Sequence, residues 1–267
     1  MIKKIIHQQA SSHREPPIRI VEGSEVDQKL YTGICEGCSL DIVLKHHHGK
    51  LHSVHIVGSA LTQDYDPKTS DINSVMVLQE MDLKFLELLA PLGKKYGKKR
   101  VAAPLIMTPT YIHKSLDVFP IEFLNMKLFH QTIFGEDIFQ DLNIENSNLR
   151  HQCERELKVK LIGLRQGYIS AAGDKNILAR GFIDSIAGYM PLFKGIIFLL
   201  GREVPRNNSE ILSVLEEVSG VPTNVFKLVL NHKRQKTKPS IDQLNTVFED
   251  YYEAFEKLGE IADALEV

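Results

Sequence analysis

Residues 51–78, LHSVHIVGSALTQDYDPKTSDINSVMVL, hold the side chains whose types and spacing could do chemistry. The stretch reads as a strand, a tight Gly58-Ser59 turn, a polar loop and a second strand. A small turn of this kind presents backbone N–H groups that can hold phosphate oxygens. The second strand, over residues 71–78, begins D-I-N. Its period of two sends Asp71 and Asn73 to one face, over the Gly58-Ser59 turn. A carboxylate there can ligate a magnesium ion that bridges bound phosphates. Asn73 can add only a neutral carbonyl oxygen. The combination is the chemistry of nucleotide activation.

A third oxygen donor is Glu122, in V-F-P-I-E-F-L over residues 118–124. The apolar content predicts a strand. An acid there needs a cation, because an unpaired carboxylate is costly to bury. Magnesium is one candidate, and an Arg or Lys partner is the other. Beside a metal, the carboxylate would also be placed to take a proton from an acceptor hydroxyl.

The Gly-Ser turn, the polar loop and the strand-initial D-x-[D/E] position resemble the nucleotidyltransferase superfamily, which includes polymerase-beta-like and kanamycin-nucleotidyltransferase-like enzymes. The likeness covers about residues 54–122, with a general likeness in the helical remainder. It implies that Gly58 and Ser59 bind the nucleotide's phosphates. It implies that Asp71, Asn73 and Glu122 form the metal site, with Asp71 and Glu122 catalytic. Asn73 departs from the family, which has a carboxylate there. The implied reaction moves a nucleoside monophosphate from a nucleoside triphosphate to a hydroxyl acceptor, with magnesium or manganese. The implied alternative is an impaired relative that binds a nucleotide or a partner protein without turnover. A ribonuclease role for the helical half would need a His soon after Arg206-Asn207, and none follows within reach.

The expected fold is a mixed-sheet α+β domain over residues 1–146, with an irregular lead over 1–23, followed by an all-α bundle over 147–267. Before the core stretch, a helix is expected over residues 25–45. Cys35, Cys38 and His46 to His48 lie in or after it, but a structural zinc wants four placed ligands, and these residues read better as two small apolar side chains one helical turn apart and a polar helix end. Residues 81–96 show helical spacing and would cross over between two strands, making part of the sheet parallel. Residues 103–108 read as a strand, 110–116 as a turn or short helix, and 125–139 as a connector whose short helix is broken by Gly135.

In the second half, Leu149, Cys153, Leu157, Leu161, Leu164 and Tyr168 draw one stripe, stopped at Ala172-Gly173. Asp174 caps the next helix, which Pro191 should kink or divide. Asn208 or Ser209, then Thr223, cap two more helices. Ser240 and Gln243 form a capping box before a seam that runs from Ile241 to Leu265. That seam suits either a bundle core or a homodimer contact.

The 267 residues can bury a real core, and a net charge of −2 gives no general pull toward nucleic acid. Basic clusters at residues 94–100 and 231–239 suit solvated helix ends, or contact with an anion. Three cysteines without a secretory leader predict a cytoplasmic protein. The apolar run over residues 188–201 holds Pro191 and Lys194 and falls short of the roughly 20 residues a membrane span needs. It is expected to be a buried helix.

Overall fold

The computed structural model describes residues 48–66, 68, 70–97, 100–237 and 240–267. The expected lead, the helix over 25–45 and the cysteine pair at Cys35 and Cys38 lie outside these residues.

The architecture is α+β: a four-stranded mixed sheet whose strands are followed by a run of long helices. Strand β1 (Leu51–Val57) sits inside the sheet, antiparallel to β2 (Asn73–Leu78) on one side and to β4 (His130–Gly135) on the other. Helix α1 (Leu83–Gly97) crosses from β2 to β3 (Leu105–Met107), which pairs parallel with β2, as the helical spacing predicted. The strand order is therefore β3-β2-β1-β4.

β1 does not alternate between wet and dry faces; six of its seven residues are buried. Both faces of the sheet are covered. On one, Val54, Met76 and Leu78 pack with Phe85 of α1. On the other, Val57, Val75 and Val77 join the large apolar cluster of the helices. Ser53 and His55 are polar residues caught inside this sandwich, and hydrogen bonds make that tolerable.

Two expectations between β3 and β4 fail. Residues 118–124 are not a strand. Val118 and Phe119 are exposed, and Pro120 opens helix α3 (Pro120–Leu128), which follows the short helix α2 (Pro109–Lys114). Pro120 stands at the first helical turn, where its missing N–H costs nothing. Ile121 and Leu124 then share the buried face at helical spacing. Residues 130–135 form the edge strand β4 rather than a helix broken by Gly135. Thr132, Ile133 and Phe134 suit a strand, but the run is short and opens with His130 and Gln131, and pairing with β1 completes it. Gly135 ends it at φ +76°, where an added Cβ would lie 2.0 Å from the carbonyl oxygen of His52.

Helix α4 (Asn146–Ala171) stops at Ala172, which is left-handed at φ 47°. Helix α5 (Lys175–Leu199) is capped by the Asp174 carboxylate, which accepts from the Asn176 and Ile177 amides. Pro191 lies inside α5 without dividing it. By length and composition α5 could cross a membrane, but more than half of its apolar window is buried within the protein, and it acts here as a core helix. Helix α6 (Asn208–Ser219) is capped by Asn207, one residue earlier than expected. Thr223 holds the N-cap position of helix α7 (Asn224–Gln235), but its hydroxyl is turned to the Glu216 carboxylate and the Leu212 carbonyl and caps no amide of that helix. Helix α8 (Ile241–Ala264) starts with the predicted capping box. Its seam packs along α4 inside the same chain. Tyr251 and Phe255 join Tyr189, Phe193 and Phe226 in an aromatic core, with ring centres 4.8 Å apart for Phe226 and Tyr251. Such pairs add about 0.5–1.5 kcal/mol each beyond area burial.

Candidate ligand-binding cleft

Sheet and helices meet at a cleft of about 430 Å³. Its floor is the end of β1 with Val57 and Gly58, and the start of β2 with Asn73 and Ser74. α3 supplies Ile121, Glu122, Asn125, Met126 and the following Phe129. α4 supplies Gln152, Glu156 and Lys160, and α5 supplies Pro191, Leu192 and Lys194. Clefts of this size with apolar walls and a few polar groups are ordinary sites for small ligands.

Gly58 carries φ +81° just after β1, a conformation costly for most other residues, and opens the 3-10 turn Gly58–Leu61. Its own N–H is already used, donating to the Phe129 carbonyl at 3.0 Å. Ser59 is exposed, and its carbonyl accepts from the Thr62 amide and hydroxyl. Asn73 pairs with Val57 across the sheet, so strand register alone brings it to Gly58 on the cleft. Asp71 lies outside β2, just before it. Its side chain is 58% exposed and lies 3.6 Å from Arg100, away from the cleft lining. An ion pair so exposed contributes little to stability.

Glu122 does line the cleft, but from the first turn of α3 rather than from the sheet, and it is exposed rather than buried. The buried Gln152 side chain fixes this corner. Its Oε1 accepts from the Ile121 amide at 2.8 Å, and its Nε2 donates to Glu122 Oε2 at 2.9 Å. The structure thus brings Gly58, Asn73 and Glu122 to one cavity and leaves Ser59 and Asp71 off its walls. As a magnesium centre the donors fit poorly. Asp71 faces Arg100, Asn73 is neutral, and among the described residues no three His, Cys, Asp or Glu side chains gather closely enough to hold a metal.

The charged wall formed by α4 and α5 was not foreseen as part of a site. Gln152, Glu156 and Lys160 follow one another at four-residue spacing on one face of α4, a signal present in the sequence. Glu156 accepts from Lys160 at 3.2 Å and from Arg155 at 3.2 Å. Lys194 is the lone cation of an apolar run, which marks it only once the run is known to flank a cavity. Burial lowers its pKa to about 8, and Asp64 acts against that shift through space.

Asp64 belongs to the loop after the Gly58 turn. It accepts from the Asn208 amide at 2.6 Å and from Arg234 at 2.6 Å, tying that loop to α6 and α7. The basic stretch at 231–239 therefore has one member committed inside the fold.

A second polar group lies within the sheet. His55 has no exposed surface, and its ring nitrogens bond Ser53 Oγ at 2.8 Å and Thr132 Oγ1 at 2.9 Å. Burial, reinforced by His130, lowers its pKa to about 4. His130 bonds Asp137 at 2.8 Å, which keeps the Asp137 carboxyl below the usual carboxylate range against the opposing effect of burial. Phe139 packs 4.7 Å from His55, ring centre to ring centre, so the network is closed at its His55 end and reaches solvent at Asp137. No protein-family model matches the sequence, and a search of curated proteins finds no match.

Proposed function

We propose that the chain is a nucleotidyltransferase-type binding module that holds a nucleoside triphosphate in the cleft between sheet and helices without transferring its nucleotidyl group. The observation that carries this reading is the division of the resembling residues. Gly58, Asn73 and Glu122 share the cleft, while Asp71 turns to Arg100 outside it. Transfer of this kind depends on positioning and on neutralising charge at the phosphates, so a set with a neutral Asn73 and an outlying Asp71 favours binding over turnover. The test is a calorimetric titration of each nucleoside triphosphate, with and without magnesium. Binding of similar strength in both, with no pyrophosphate released, is the expected result. No binding of any triphosphate, or pyrophosphate release, overturns it.

The second reading is metal-dependent transfer to a hydroxyl acceptor. Glu122 on the cleft wall favours it. Under that reading Asn73→Asp raises magnesium affinity and transfer together. Under the binding reading the variant gains neither.

A further inference from the structure

The cleft wall holds an ammonium that makes no ion pair among the described residues. Lys194 lines the cavity, with its Nζ 4.0 Å from the centre of the Phe129 ring. Among the described residues no carboxylate lies within ion-pair distance of it. Of the other charges nearby, Lys160 pairs with Glu156 and Asp64 is held by Arg234 and the Asn208 amide, while Glu122 accepts from the neutral Gln152 amide, keeps its charge and lies beyond ion-pair distance of Lys194. The Phe129 ring steadies the ammonium through its quadrupole but brings no full negative charge. Phe129 is itself tied to the Gly58 turn through its carbonyl. Around this ammonium the walls are largely apolar, with Val57, Leu105, Ile121, Met126 and Leu192.

We propose that the cleft binds a small ligand with an apolar body and one oxyanion head, carboxylate or phosphoryl, and that Lys194 holds the head. The body lies along the apolar walls and the head meets the ammonium over Phe129. A partly buried charge gains most from a partner that shares its desolvated site. This inference rests on the cleft described above but not on the ligand being a nucleotide.

The test is calorimetric titration of the full chain with decanoate, decyl phosphate and decanol, on the parent and on Lys194→Met and Lys194→Arg. Methionine keeps the apolar stem and removes the charge, while arginine keeps the charge. At least one of the two anions is expected to bind at one site, with decanol much weaker. Lys194→Met should weaken the anion about tenfold or more, and Lys194→Arg should retain most of the affinity. The stronger of the two anions identifies the head group. Decanol binding as tightly as the anions, no binding by any of the three, or anion binding unchanged in Lys194→Met each overturns the proposal. Decanoate held through Lys194 while no triphosphate binds removes the nucleotide reading and leaves this one. Triphosphate binding without any response to the alkyl anions does the reverse.

Discussion

Acid should weaken this fold through one buried imidazole. His55 has no exposed surface and sits between Ser53 and Thr132 under Phe139. Its pKa is lowered from 6.5 to about 4 by burial first, then by the nearby His130. A depressed imidazole pKa means that between these values the unfolded chain binds the proton and the native one does not. Stability therefore rises with pH across that window and falls on acidification from 6.5 toward 4. A shift of this size corresponds to about 3 kcal/mol, a large share of the 5–15 kcal/mol typical of a folded domain. The hydroxyls of Ser53 and Thr132 can also accept from the protonated ring, so this is the upper end of the effect. Asp137 does not confuse the measurement. Its pKa is lowered below 3.8, so its contribution is complete above 3.8 and is lost only as pH falls below that value. Glu154 and Glu216 are likewise lowered from 4.5, and they add to the loss only near the acid end. The chain has no Trp, so urea unfolding is best followed by circular dichroism at several pH values. The midpoint should fall across the window with an unchanged denaturant slope, and His55→Gln should flatten the dependence. The same pH dependence in His55→Gln, or a native imidazole titrating near 6.5 by NMR, would refute the reasoning.

Tyr251 is fully buried and its hydroxyl has no hydrogen-bond partner among the described residues, so Tyr251→Phe should stabilise the protein by roughly 1 kcal/mol, read from the urea midpoint. Gly195→Ala would place a Cβ 3.0 Å from Cys153 Sγ in a packed helix contact. It should cost roughly 1–3 kcal/mol, and Cys153→Ala in the same chain should recover most of the loss. Asp64→Ala removes the acceptor shared by Arg234 and the Asn208 amide and should cost roughly 1–3 kcal/mol. Hydrogen exchange at Asn208 should rise in that variant, and unchanged protection would show that the tie does not hold the loop.

The helical half was legible because its signals are local. Asp174 as a cap, the Ser240-Gln243 box and the stop at Ala172 each depend on neighbours within one or two turns, and the apolar stripes follow the 3.6-residue period. The β1–turn–β2 stretch was legible for a similar reason: two apolar runs flank a glycine that takes φ +81°. What the sequence could not decide came from partners distant along the chain. β4 is completed as a strand by β1 beside it, and Glu122 is helical because Pro120 begins a helix that packs on α4 and α5. An acid among apolar residues has the same local pattern in a strand as in a short helix. The cleft itself joins β1, β2, α3, α4 and α5, whose cleft residues span 57–194. Composition fixed which charges the chain owns. Only the tertiary packing decided that Asp71 would meet Arg100 in solvent, that Asp64 would be shared by α6 and α7, and that Lys194 would lie against an aromatic ring. The reason is that burial and pairing are properties of surroundings, and those surroundings are assembled from residues far apart in the chain.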